Sequence, residues 1–145
     1  MNEMNTNCTF RKVMVIDDTE VDRYVAERNI LKCLFASEVV AKESANEGLR
    51  HLASLVERPD DLPQLIFLDI RMPEKDGFQF LAEYELLPDA VKRTCIIMML
   101  STSLNAGDHE LARENKYVAR FINKPLNAER IRELIADLGL SAKAA

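Results

Sequence analysis

The chain has 145 residues, 48% hydrophobic and 30% charged, the size and balance of one globular domain with room for a buried core. Its net charge is −5, with the acidity in the first two thirds and no basic stripe of the kind that nucleic-acid binding needs. No apolar run nears the roughly 20 residues of a membrane span, and the polar start, Met1–Thr9, carries no secretory signal.

Residues 1–10 read as a mobile polar leader. Val13-Met14-Val15-Ile16 is a short apolar run without alternation, the pattern of a strand buried on both faces, and it ends in Asp17-Asp18. Thr19 is expected to cap a helix, with Asp22 in capping-box register and Val21, Tyr24, Val25, Arg28, Leu31 and Leu34 as its inner stripe. Glu38–Ala41 is a weaker strand. Ser44 and Glu47 form a capping box for a helix whose apolar stripe is Leu49, Leu52, Leu55 and Val56. A polar loop, Pro59 to Pro63, feeds Leu65-Ile66-Phe67-Leu68-Asp69, a second two-sided run tipped by a carboxylate. Asp76-Gly77 is a turn signal with Asp76 as a candidate cap, and Phe78, Leu81 and Tyr84 mark a short helix closed by Pro88.

Cys95–Leu100 is a third buried run, ending in Ser101-Thr102-Ser103. Asn105 can cap a helix reaching about Lys116, softened by Gly107. Val118–Ile122 is the last strand and runs into Asn123-Lys124-Pro125. Asn127 caps a final helix with Ile131, Leu134, Ile135 and Leu138 on one face and Gly139 as its stop. Residues 139–145 then read as a short tail with no output domain.

Strand and helix alternate five times, which predicts an α/β fold: a flavodoxin-like three-layer α/β/α sandwich with a five-stranded parallel sheet in the order 2-1-3-4-5 and five helices. The three cysteines, Cys8, Cys33 and Cys95, have no metal or redox spacing. Cys33 and Cys95 read as small buried hydrophobes in a reducing compartment, so the expected location is cytoplasmic.

In a parallel sheet the strand ends of one polarity share an edge, where ligands bind in open α/β folds. That edge receives Asp17 and Asp18 from strand one, Asp69 from strand three, Ser101 from strand four and Lys124 from strand five. Three clustered carboxylates repel unless a cation or proton intervenes. His51 and His109 fall in helices away from the edge and are expected at the surface, so the donors are all oxygen. Such a set suits Mg²⁺ best, with Mn²⁺ as a substitute. A divalent ion, a hydroxyl and a lysine together suit a phosphoryl group, and a carboxylate such as Asp69 can be its nucleophile.

Asp17-Asp18, Asp69 after Leu65–Leu68, Met72-Pro73, Asp76-Gly77, Leu100-Ser101 and Lys124-Pro125, each in order at or just beyond a strand end, resemble the receiver domain of bacterial two-component response regulators. The resemblance covers residues 11–138, nearly the whole chain. It implies that Asp69 is the phosphoacceptor, supplied by a phosphohistidine on a sensor histidine kinase or a histidine phosphotransfer protein. It makes Asp18 the direct Mg²⁺ ligand beside Asp69, Asp17 an acid acting through a metal-bound water, and the Arg71 backbone carbonyl the completion of the metal shell. Ser101 becomes the switch hydroxyl, Phe121 the aromatic that turns inward with it, and Lys124 the phosphate contact, with a Lys124–Pro125 bond that is often cis. Two positions depart from the best-known pattern: Ser101 stands for the commoner Thr, and Phe121 for Tyr. The Arg71 side chain is expected to lie solvated beside the pocket.

The resemblance also implies a stand-alone switch rather than an enzyme with a separate substrate, one that catalyses only its own phosphorylation and dephosphorylation. Its output would be a change of affinity for an effector at the face of the fourth helix, fifth strand and fifth helix, with a homodimer left open. A phosphate shuttle or sink in a relay shares every pocket residue. An aspartate-nucleophile phosphatase of the haloacid dehalogenase type wants a second Asp two residues after the nucleophile, where Arg71 stands.

Overall fold

The strand runs with no polar alternation form the centre of the molecule. A computed structural model describes residues 8–102 and 105–144. The order is β1 (Phe10–Ile16), α1 (Glu20–Lys32), β2 (Ala36–Lys42), α2 (Ala45–Ser54), β3 (Leu65–Asp69), α3 (Gly77–Tyr84), α4 (Asp89–Thr94), β4 (Ile96–Ser101), α5 (Ala106–Glu114), β5 (Val118–Asn123) and α6 (Ala128–Ala144). The strands pair in parallel as β2-β1-β3-β4-β5, the expected flavodoxin-like order.

Successive side chains of a strand point to opposite faces. Met14, Ile16, Ile66, Leu68, Ile97 and Met99 meet α2, α3 and α5 on one side. Val13, Val15, Leu65, Phe67, Met98 and Leu100 meet α1 and α6 on the other. Both faces are covered, which is why these strands show no polar alternation.

Four local expectations are corrected. There are six α-helices among the described residues, not five. The extra one, α4, follows Pro88, spans six residues and buries Val91, too little for a periodic pattern to show. The expected inner stripe of α1 faces outward: Val21 and Tyr24 are 67% and 61% exposed, and Leu31 and Leu34 are also exposed, while Ala26 and Ile30 are buried. Small Ala26 lets the helix approach the sheet closely, and the Asn29 side chain amide ties it to the Leu126 carbonyl at 3.2 Å. Third, β1 starts at Phe10, which pairs with Ala36 and sets its ring edge-on to Phe35 at 5.2 Å. The rest of the expected leader, through residue 7, and Ser103 lie outside the described residues. Fourth, α6 continues through Gly139 to Ala144, because one helical glycine costs only about 1 kcal/mol and the flanking residues favour helix.

The predicted caps hold in part. Ser44 accepts from the Glu47 N–H, Asp76 and Gln79 form a full capping box, and Asn105 accepts from Gly107 and Asp108. Gly77 is required by packing, since a Cβ there would lie 2.7 Å from the Asp69 carbonyl oxygen. The β3–α3 loop folds back on the strand, and the Gly77 N–H donates to the Ile70 carbonyl at 2.8 Å.

Candidate functional site

Strand register brings the edge residues together. Ile16 pairs with Leu68, Asp69 with Leu100, and Ser101 with Asn123, so the tips of β1, β3, β4 and β5 stand side by side. Asp17 follows β1 and is buried, Asp69 ends β3 at 4% exposure, and Ser101 ends β4, also buried. Asp18 faces solvent. Carboxylate oxygens of Asp17, Asp18 and Asp69 lie within 4.8 Å of one another. An all-oxygen set this tight, with one open side at Asp18, fits a hard divalent cation.

The ammonium of Lys124 is shared among three acids. Its Nζ lies 2.7 Å from Asp17 Oδ2, 2.8 Å from Asp22 Oδ2 and 3.4 Å from Asp69 Oδ1. Its backbone N–H donates to the Ser101 carbonyl at 3.0 Å, which joins β5 to the end of β4. The Lys124–Pro125 peptide is cis. Asp17 is further fixed by the Thr19 N–H at 3.0 Å and by the Arg23 guanidinium on its carbonyl at 2.8 Å.

These charges set the protonation state. Burial, then the Asp17 carboxylate, pushes the Asp69 carboxyl up to about 7 despite the nearby Lys124. Burial opposes the charge on Lys124, but the hydrogen bonds that it donates to Asp17 and Asp22 outweigh it and hold the ammonium above its ordinary range. A metal-free site therefore shares protons and one lysine among too many carboxylates.

The structure places the remaining expected residues as follows. Phe121 pairs with Met99 in the sheet and is half-buried. Its ring stacks on His109 of α5, with centroids 3.9 Å apart and planes 28° apart. His109 is therefore half-covered rather than a plain surface residue. His51 is also half-buried, and its Nε2 is buried without a hydrogen-bond partner. Arg71 is not simply solvated: its guanidinium forms an ion pair with Asp108, a nearly buried carboxylate in the first turn of α5.

Three participants were missed by sequence reasoning. The local pattern puts Asp22 in a capping box, but Thr19 makes no side-chain cap bond, and the charge of Lys124 draws Asp22 instead. Asp108 carried only the signal of an acid in a first helical turn, and His109 none. The distance in sequence between Arg71 and Asp108 hides their pairing.

Residues 13–136 match the response regulator receiver domain family. Response regulator Rcp1 of Synechocystis sp. is 25% identical over 130 residues, covering 87% of this chain and 84% of that protein. A solved structure described as the Mn(2+)-bound form of response regulator Rcp1 aligns with a TM-score of 0.63 at 24% identity, over 86% of this chain and 88% of the other. A response regulator receiver protein from Dyadobacter fermentans is 30% identical with a TM-score of 0.75, over 86% and 94% of the two chains. Hybrid signal transduction histidine kinase L of Dictyostelium discoideum is 26% identical across 88% of this chain but only 7% of its own length. The chain spans less than two thirds of several curated relatives that it matches.

Proposed function

Because the chain belongs to the response regulator receiver domain family, we propose that Asp69 accepts a phosphoryl group from a phosphohistidine and that the phosphorylated protein signals through altered partner binding. The donor is a sensor histidine kinase or a histidine phosphotransfer protein. The observation that carries this reading is the convergence of Asp17, Asp18 and Asp69 within 4.8 Å, with Lys124 Nζ 3.4 Å from the Asp69 carboxylate.

A carboxylate oxygen of Asp69 attacks phosphorus, the bond to the donor imidazole nitrogen breaks, and the departing imidazole takes up a proton. Mg²⁺, or Mn²⁺ in its place, would be held by Asp18 and Asp69, with Asp17 behind a water and the Arg71 carbonyl completing the shell, and its charge would keep Asp69 ionised and neutralise the phosphoryl oxygens. Lys124 shifts from Asp17 and Asp22 toward the new oxygens. The Ser101 hydroxyl donates to one of them, and Phe121 turns into the space that it leaves. The protein acts as a switch that modifies only itself. The effector face is the one built from α5, β5 and α6, equivalent to the expected fourth helix, fifth strand and fifth helix. The expected setting is the cytoplasm, with no direct nucleic-acid or membrane contact. Among the described residues no helix is long and apolar enough to cross a membrane.

Transfer from a radiolabelled, autophosphorylated histidine kinase tests the donor chemistry. Label should pass to the chain with Mg²⁺ and fail with EDTA or with Asp69→Asn. Label that stays on every kinase and phosphotransfer protein offered, while small phosphodonors do label Asp69, would contradict the phosphohistidine route.

A further inference from the structure

Arg71 joins the loop after β3 to α5. It stands two residues beyond Asp69, in the loop after β3, and its guanidinium pairs with Asp108 of α5. Asp69 neighbours Leu100 in register, and α5 follows β4 in the chain. The Arg71 side chain thus reaches from the phosphoacceptor strand past the end of β4 to the next helix.

The two partners differ in freedom. The Asp108 side chain is 10% exposed and that of Arg71 is 59% exposed. An exposed guanidinium can swing into water or onto another anion. A nearly buried carboxylate cannot be rehydrated unless its helical turn moves, and a buried acid that loses its cation is strongly disfavoured. Asp108 also gains from the positive end of the helix, which explains an acid there but not why it is buried against an arginine from another element.

The first turn of α5 is suited to move. It contains Gly107, its cap is the Asn105 side chain, and apart from Asp108 itself the only buried residue of α5 is Ala112. The neighbour of Asp108 is His109, whose ring covers Phe121. Whatever opens this turn therefore also uncovers the switch aromatic.

We propose that Arg71 is an exchangeable latch on α5: it holds the helix through Asp108 in the unmodified protein and exchanges Asp108 for the phosphoryl oxygens once Asp69 is phosphorylated. This rests on the reading of Asp69 as the phosphoacceptor. Two residues of chain span at most about 7 Å, within the reach of an arginine side chain. A phosphoryl group brings about −1.5 to −2 of charge and several acceptors, and a guanidinium fork binds such oxygens two at a time. The exchange leaves Asp108 without that cation, the first turn of α5 opens to hydrate it, and His109 withdraws from Phe121. The same event that satisfies the phosphoryl group thereby remodels the effector face.

The test combines intact mass with hydrogen exchange of the peptide covering 105–114, before and after acetyl phosphate and Mg²⁺. In the wild type, exchange in this peptide should rise severalfold as the phosphorylated mass appears. Arg71→Ala and Asp108→Asn should each exchange faster before phosphorylation and show little further rise after it. Arg71→Lys should restore part of the wild-type protection and part of the response. A change of folding alone would be seen outside α5, in the β3 and β4 peptides. Wild-type phosphorylation with unchanged α5 exchange would overturn the latch and leave the phosphoacceptor intact. Equal α5 exchange in Arg71→Ala and wild type before phosphorylation would also overturn it. Failure of Asp69 to gain the phosphoryl mass would overturn both readings.

Discussion

Lys124 Nζ lies closer to Asp17 than to Asp69, 2.7 Å against 3.4 Å. The lysine that is expected to meet a phosphoryl group is thus held in the bare protein by Asp17, just beyond β1, and Asp22 of α1. Removing it leaves buried carboxylates without their cation. Lys124→Met should destabilise the metal-free protein by about 3 kcal/mol, read as a lower urea midpoint. Mg²⁺ should recover part of that loss, since it supplies positive charge to the same acids. A midpoint that does not move would show that Lys124 contributes no net stabilisation to the edge.

The pH dependence follows from Asp69. Its carboxyl is raised by burial and by Asp17 to about 7, so between its ordinary carboxylate value near 4 and pH 7 the folded metal-free protein holds a proton that the unfolded chain releases. The associated stability is fully present below about pH 4 and is lost as pH rises through 7. His51 works the other way, its pKa lowered by burial, then by Lys42 and Lys12. Its contribution is present above its ordinary value near 6.5 and is lost as pH falls below it. Asp69→Asn should therefore be more stable than wild type at pH 7.5 in EDTA, by on the order of 3 kcal/mol, and the difference should vanish near pH 4. Parallel melting curves across this range would contradict the raised carboxyl.

Cation binding provides a separate test of the acid cluster. Mg²⁺ should stabilise the fold by mass action, by about 2.7 kcal/mol at a hundred times its dissociation constant, and so raise the melting temperature. Asp18→Asn should raise the metal-free melting temperature, because it removes one of three clustered charges, and should blunt the response to Mg²⁺. Calorimetric melts with EDTA and with Mg²⁺ distinguish these effects, and no response in either arm would exclude the cluster as a cation site.

Leu34 offers a test of the fold away from the site. It has φ 58°, and its N–H and that of Phe35 bond back to Leu31 and Ile30, the glycine-favouring close of a helix. A β-carbon in this conformation costs about 1 kcal/mol, and Leu34 is about half exposed. Leu34→Gly should stabilise the protein by about that amount, measured by urea unfolding, while phosphorylation is unchanged.

The parts legible in the sequence were those set by local pattern. Strands buried on both faces appear as short apolar runs, and the residues that end them, Asp17, Asp69, Ser101 and Lys124, fall on one edge by parallel topology. The rotation of α1 was not legible, because Val21, Tyr24, Leu31 and Leu34 make a larger apolar stripe than the Ala26 and Ile30 that pack inward. Nor was α4, too short to show a period. The pairs Arg71–Asp108 and Lys124–Asp22 join residues far apart in sequence and follow from three-dimensional charge balance, for which no local pattern exists.

Asp69 as the nucleophile is the premise on which the switch depends. The most direct measurement is the intact mass after acetyl phosphate and Mg²⁺, followed by mapping of the modified residue. One phosphoryl group should be added on Asp69, removed by hydroxylamine, dependent on the divalent cation, and absent in Asp69→Asn. A hydroxylamine-sensitive phosphoryl group that persists in Asp69→Asn and maps to another aspartate would contradict it.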